Sequence, residues 1–380
     1  MGIVQYAGLH PWRVAITIVA GLLLGLGAFY VYQVQAALGT VASEEFDPQA
    51  ARAAIDVTGT TSRNIVFVEP APYPEGEDEL AEQQLELAGE FDLTGSFDPY
   101  SLTPNSFGEP IDDEVFTSYL LVGADASGFL ADVIILVLQP AEEENPIMVS
   151  LPRDLFVWNL CKRTLTRLNE GLGGCTGVAS GSELIAIMVE DYTGIPVDHV
   201  ARVNFGGFAR VVDAMGGVTV CVDRPTRDPR SGLDITTSGC HRANGETTLA
   251  WVRSRHTEQL KGEEWVQVAG SDFARQNRQQ DVLFQLAGKA AGFSSPVSLT
   301  NKLSAVASSV RLDSSWTFGR AVSTAWRYRG ISKDSVSRFS IEVQNHRTPR
   351  GAAVLLPTAS FKDQLEEIYP LDWRGSADLK

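Results

Sequence analysis

The residues able to do chemistry concentrate between positions 251 and 280, WVRSRHTEQLKGEEWVQVAGSDFARQNRQQ, which carry five of the basic side chains of an otherwise acidic chain. Arg253 and Arg255 are two apart, so on an extended segment they project from one face. Asp272, Arg275 and Gln279 stand at i, i+3 and i+7, one stripe of a helix, and the same stripe continues through Leu283, Leu286 and Ala290. A helix that is polar at its N-terminal end and apolar further along offers an anion site followed by a greasy face. Free N–H groups and guanidinium forks both suit phosphate, and the leucines suit a lipid tail. The plainer alternative is an amphipathic helix with Leu283 and Leu286 in an ordinary core and the arginines in salt bridges.

Further acidic and basic residues fall at the ends of apolar runs. Asp125 follows YLLVGA, Asp132 opens ADVIILVL, and Arg153 and Asp154 close VSLPRD. Open α/β sheets place their sites in strand-end loops. Two carboxylates near several arginines suggest a divalent cation held against phosphate oxygens, Mg2+ with Mn2+ as the alternative, since hard cations take oxygen ligands. Taken singly, Asp125 reads equally as a turn residue and Asp154 as a cap or partner of Arg153. His199, His241 and His256 have no metal or triad spacing.

The elements that must position these groups are legible in the hydrophobic pattern. Strands are expected at 119–122, 133–138, 147–151, 197–203 and 218–222. Helices are expected at 181–192, 208–215, 271–291, 315–327 and 361–368, with Gly206-Gly207 and Gly216-Gly217 as turns. Alternating short strands and helices predict a three-layer α/β/α domain over 116–370, followed by a tail at 371–380.

Before that domain the chain changes character. Residues 14–32 (VAITIVAGLLLGLGAFYVY) are uncharged and long enough for one span. The expected anchor covers 14–34, behind a tail of 1–13; a cleaved signal peptide is the alternative. His10 and Arg13 precede the span and acidic residues follow it, which puts the N-terminus in the cytoplasm and the rest outside. Residues 35–115 are acidic and rich in Pro and Gly, with a weak strand signal at 64–68, and read as a solvated stalk. Residues 44–114 hold 18 Asp and Glu against two Arg, and so account for the whole net charge of −16. That balance argues against nucleic acid as a partner and gives no sign of a basic membrane-surface patch. Only seven of the 31 basic residues are Lys, a bias that suits bidentate phosphate binding and that codon usage explains equally well. The four cysteines all follow the span, with no zinc spacing. Two local disulfides, Cys161–Cys175 and Cys221–Cys240, are expected, with free buried thiols as the alternative.

The stretches YLLVGAD, ADVIILVL, VSLPRDLFV, RLNEGL, DHVARVNFGGFARVVDAMGGVTV, GETTLAWVRSRH and DFARQNRQQ, in that order behind one span, are similar to the LytR–CpsA–Psr family of cell-wall glycopolymer transferases. The resemblance runs from about residue 116 to 291. It implies a membrane-anchored extracytoplasmic enzyme that moves a glycopolymer from a polyprenyl-pyrophosphate carrier to peptidoglycan, in an α/β/α sandwich with a central mixed sheet and a tunnel for the prenyl tail. It also implies that Arg153, Arg253, Arg255 and Arg275, with Gln279 beside them, hold the pyrophosphate, that Asp125 and Asp132 serve Mg2+, and that Asp272 orients the arginines. An acceptor hydroxyl needs a base or simply a good alignment, and Asp132 and Asp154 are the two candidates for that base. The chain departs from the family where ADASG follows the first strand without the usual Arg, where Arg167 stands for Lys, and in the extended loop EQLKGEEWVQVAG.

Overall fold

The computed structural model describes residues 42–59, 111, 115–141, 145–268, 272–292, 302, 306–327, 336–348 and 351–369. Strand β1 (Ala42–Glu44) and helix α1 (Pro48–Gly59) come first. Next come β2 (Phe116–Ala124), β3 (Ala131–Pro140) and β4 (Ile147–Ser150). A hairpin of β5 (Phe156–Asn159) and β6 (Thr164–Arg167) leads through a 3-10 turn (Leu168–Gly173) to α2 (Gly181–Thr193). β7 (His199–Asn204) and α3 (Phe205–Ala214) precede four short strands, β8 (Val218–Val222), β9 (Thr226–Asp228), β10 (Leu233–Ile235) and β11 (Gly239–Ala243). Then come α4 (Gly245–Arg253), β12 (Glu258–Lys261), β13 (Glu264–Gln267) and the long α5 (Asp272–Ala291). The chain continues through β14 (Val310–Asp313), α6 (Phe318–Arg327), β15 (Ser337–Ser340), β16 (Val343–Arg347), β17 (Ala353–Pro357) and α7 (Phe361–Glu366).

The main sheet is mixed, in the order β1-β14-β7-β2-β3-β4-β15. β2 pairs parallel to β7 and antiparallel to β3, and β3 pairs antiparallel to β4. Side chains alternate across such strands. Leu120, Val122, Ile134 and Leu136 therefore join the large core built around α2, while Leu121 and Ile135 face Leu283 and Phe284 of α5. Helices thus pack on both faces, giving a mixed α/β fold. α2 is buried nearly all round; Ser180 and Glu183 form a capping box at its start, and Gly194 in the left-handed region ends it.

Several expectations need correction. Residues 42–59 are not stalk: β1 pairs parallel to β14, and Ala51 and Ile55 of α1 enter the core with α2. A three-residue edge strand has no periodicity to read, because its ladder partner lies more than 250 residues away. Arg253 and Arg255 do not share an extended segment. Arg253 ends α4, whose N-cap Asn244 accepts from the Thr247 amide. Gly206 and Gly207 are the first turn of α3 rather than a loop turn. Asn204 caps the Gly207 amide at 2.8 Å, and a Cβ on Gly207 would sit 2.6 Å from the Ser309 carbonyl oxygen. Gly216 and Gly217 do form a turn, both with φ near 78°. The loop EQLKGEEWVQVAG folds as the β12–β13 hairpin, with Gly262 at positive φ in its turn. Both disulfides, Cys161–Cys175 and Cys221–Cys240, are present, the second joining directly opposed residues of β8 and β11. Residues 14–34 and 64–68 lie outside the described residues, and among the described residues no helix is long and apolar enough to cross a membrane.

Candidate active site

Strand direction brings the scattered residues together. β2, β4 and β7 point the same way and β3 points back. Asp125 after β2, Asp132 at the start of β3, Arg153 and Asp154 after β4, and Phe205 after β7 therefore all stand at one end of the sheet. There Arg153 Nη1 lies 2.6 Å from Asp132 Oδ1 and its Nε 3.6 Å from Asp154 Oδ2, while Arg255 Nη2 lies 3.7 Å from Asp154 Oδ2. Cations and carboxylates thus alternate through Asp132, Arg153, Asp154 and Arg255, all partly buried. In that setting charge-assisted contacts are stronger than in water.

α4 and α5 supply the other wall. The Arg253 guanidinium lies over the Phe205 ring, 4.3 Å from its centroid. Gln279 donates to the Val252 carbonyl at 3.1 Å, and Arg278 donates to the Ser254 carbonyl while covering the Trp251 ring at 4.9 Å. These bonds satisfy carbonyls that the end of α4 leaves without helical partners. Gln280 donates to Ser150 Oγ at 2.8 Å, tying α5 to β4. Arg275 is 5% exposed, one turn before Gln279. The Asp272 side chain lies outside what is described.

Asp228 is the residue that pattern reading missed. Its Oδ2 accepts from Ser254 Oγ at 2.7 Å and from the Arg255 and His256 amides at 3.0 Å, which fixes the turn carrying Arg255. Burial works to raise this carboxyl, but its bonds to Ser254 and to the His256, Ser231 and Arg230 amides outweigh burial and hold it below the usual carboxylate range. Its only signal in the sequence is an Asp-Pro step, which reads as a turn. Phe205 and Trp251, the two aromatic supports, lack even that.

Next to this polar end, on the α5 face of the sheet, lies a cavity of about 500 Å³ with an overwhelmingly apolar lining. Leu121, Val133, Met148, Phe208, Leu283 and Leu286 are among its walls. Arg253 and Gln279 line it at the arginine end, Tyr119 and Trp316 at the other. Val133 and Gln139 of β3 both touch it, so it follows the strand for about 20 Å.

The carboxylates offer a cation less than a closed cage. Asp125 Oδ1 accepts from Ser127 Oγ at 2.7 Å and from the Gly128 amide at 2.8 Å, a turn-forming use, and Asp132 is bound by Arg153. Among the described residues no three His, Cys, Asp or Glu side chains converge on one point. Asp125 and Asp132 are hard oxygen donors of the type Mg2+ takes, and Mg2+ commonly completes its shell with phosphate oxygens and water.

The chain is 34% identical over 158 residues to the probable cell wall biosynthesis protein LcpB of Corynebacterium glutamicum, a match covering 37% of this chain and 36% of that protein. It is 28% identical over 226 residues to the polyisoprenyl-teichoic acid–peptidoglycan teichoic acid transferase TagU of Halalkalibacterium halodurans, covering 57% of this chain and 66% of the relative. The chain thus spans about a third to two thirds of the length of these curated relatives. Among solved structures it resembles a LytR-Csp2A-Psr enzyme from Actinomyces oris, with 25% identity, a TM-score of 0.54, and coverage of 68% of this chain and 94% of the other. TagV of B. subtilis shares the fold at 20% identity and the same TM-score, covering 68% of this chain and 96% of the other. The LytR_cpsA_psr family model matches residues 105–368. With the mixed sheet, the arginine-rich sheet end and this match over most of its length, the chain belongs to the LytR_cpsA_psr family.

Proposed function

We propose that this chain is a membrane-anchored phosphotransferase that moves a glycopolymer from a polyprenyl-pyrophosphate carrier onto a peptidoglycan hydroxyl, leaving a phosphodiester. The observation that carries the reading is the junction of an arginine–carboxylate network with an apolar cavity at one end of the sheet. A pyrophosphate with a prenyl tail has the same two halves. In this reading the α/β/α layers enclose the tail along Leu283 and Leu286, with the tail entering past Gln279. Arg153, Arg253, Arg255 and Arg275 neutralise the non-bridging oxygens, and Asp272 orients the arginines.

The acceptor oxygen forms a bond to the phosphorus that carries the glycopolymer, and the bond from that phosphorus to the bridging oxygen breaks. Polyprenyl phosphate leaves, and the hydroxyl proton passes to a carboxylate, Asp132 or Asp154. Both contact Arg153, which supports either as a group beside the charge that would develop. Mg2+ or Mn2+, held by Asp125 and Asp132 together with the phosphates, would supply further charge neutralisation. The span at 14–34 would anchor the enzyme with its N-terminus in the cytoplasm and residues 116–370 outside.

A second reading is a non-catalytic member that holds prenyl-phosphate lipid or organises wall assembly. What favours it is the Asp125 carboxylate, already occupied by its own loop. Purified full-length protein incubated with a polyprenyl-pyrophosphate sugar donor, Mg2+ and a glycan acceptor separates the two. Transfer with release of polyprenyl phosphate supports the enzyme; tight lipid binding with neither transfer nor pyrophosphate cleavage supports the second reading.

A further inference from the structure

Two adjacent large apolar side chains stand in water at the arginine end of the sheet: Phe129 is 67% exposed and Leu130 37%. They tip the 125–130 loop, and that loop is braced. The Asp125 carboxylate accepts from the Ser127 hydroxyl and the Gly128 and Leu130 amides, and the Asp125 amide donates back to the Leu130 carbonyl at 2.9 Å. Single exposed leucines are ordinary on protein surfaces, but a Phe–Leu pair held outward on a fixed turn exposes contiguous apolar area.

The second observation is where the chain enters the domain. Ala42 of β1 pairs with Arg311, Arg311 with Arg202, and Arg202 with Val122. β1 is parallel to β14, and β14 is antiparallel to β7. β1 therefore starts near the Asp125 end of the sheet and runs away from it. Ala42 stands ten positions after Tyr32, the last residue of the uncharged 14–32 run, a reach of at most about 36 Å. β1 lies three strand spacings from β2, about 14 Å. In the anchor reading, the end of the sheet that carries the Phe129–Leu130 tip is the end from which the chain leads back to the bilayer.

We propose that Phe129 and Leu130 insert into the outer boundary of the lipid bilayer and seat the arginine end of the sheet on the membrane. This rests on the anchor reading and not on the transferase reading. The contact is apolar: the chain carries a net charge of −16, and the tip itself, SGFL, has no basic residue. An aromatic and an aliphatic side chain side by side suit the headgroup–acyl boundary without help from anionic lipid.

The test uses the full chain in phosphatidylcholine vesicles. All four native cysteines are in disulfides, so Phe129→Cys gives one labelling site for an environment-sensitive fluorophore. Val57→Cys on α1, where the native side chain is 71% exposed, serves as control. The expected result is a blue-shifted label at 129 that loses emission when nitroxide acyl chains are present, unchanged by high salt, with neither effect at 57. Adding Leu130→Asp should return the 129 label to its water value. A 129 label as wet as the 57 label overturns the proposal. So does a shift that appears only on adding a peptidoglycan fragment, which would make the tip an acceptor platform. A chain that fails to co-float with the vesicles removes the tether and overturns the proposal too. None of these readouts needs turnover, so a catalytically inert protein would still give a clear answer.

Discussion

The two faces of the central sheet are built from the same strands and do different work. On the α2 face, Leu120, Leu136, Leu138 and Val149 are fully buried among Ile185, Ile187 and Val189, with Phe361 and Leu365 of α7 closing the core. On the α5 face, Leu121, Val133 and Val137 are only partly buried and line the open cavity. Alternation along β2 and β3 sends apolar residues to both sides. What differs is what covers them. The buried, close-packed side supplies stability, and the side with empty volume forgoes some of it to keep room for a ligand.

Substitutions on the two sides should separate these roles. Leu136→Ala removes buried methyl groups from a filled core, so unfolding free energy should fall by about 2–5 kcal/mol. Leu121→Ala, on the cavity wall, should cost clearly less by the same denaturant titration. Equal costs would mean that the cavity face is packed as tightly as the core face.

If the proposed transferase reading holds, Arg275→Ala should lower transfer by at least roughly tenfold, because a charge-assisted contact in a partly dry site is worth about 1.5–3 kcal/mol. Arg278→Ala should cost less activity, since Arg278 is engaged with the Ser254 carbonyl and the Trp251 ring. Its loss should appear mainly as a lower melting temperature. A larger activity loss for Arg278→Ala would reverse the assignment of the two arginines.

A smaller and more selective effect belongs to the cavity wall. Leu283→Asp should weaken binding of long prenyl donors much more than of short-chain analogues, because only a long tail reaches that turn of α5. Equal loss for both donors in a folded protein would place the tail elsewhere.

The smallest effect is expected at Asp228. Its folded-state carboxyl lies below the ordinary value near 3.8, so its contribution to stability is complete above that value and is lost as pH falls through the depressed one. Thermal unfolding at about pH 5 and about pH 3 should show a larger drop for the wild type than for Asp228→Asn, which cannot titrate. Identical drops would mean that the turn at Ser254 does not depend on the charged form.

How much of this was legible without coordinates differs from residue to residue. Helix α5 was readable from its stripe, and the structure puts Gln279, Leu283 and Leu286 on one cavity wall, because a 3.6-residue period is a local property of the chain. The same holds for β2, β3, β8 and α2, and for both disulfides, which close loops of 14 and 19 residues. Arg253 was misplaced on a strand because α4 has nine residues and only a narrow apolar face, with its cap at Asn244 as the surviving clue. β1 could not be seen at all, since three residues carry no period and their ladder partner is β14.

The sequence by itself therefore determined the central strands β2, β3, β4, β7 and β8, the helices α2, α3, α5, α6 and α7, and which residue types stand at strand ends. Spacing alone could not bring Asp132, Arg153, Asp154 and Arg255 within salt-bridge distance. That is decided by the order and direction of β2, β3, β4 and β7, and by an Asp228 that fixes the 254–256 turn from a separate strand. Local periodicity is encoded within a few residues. The convergence of charged groups depends on pairings between segments far apart in the chain, which exist only once the sheet has formed.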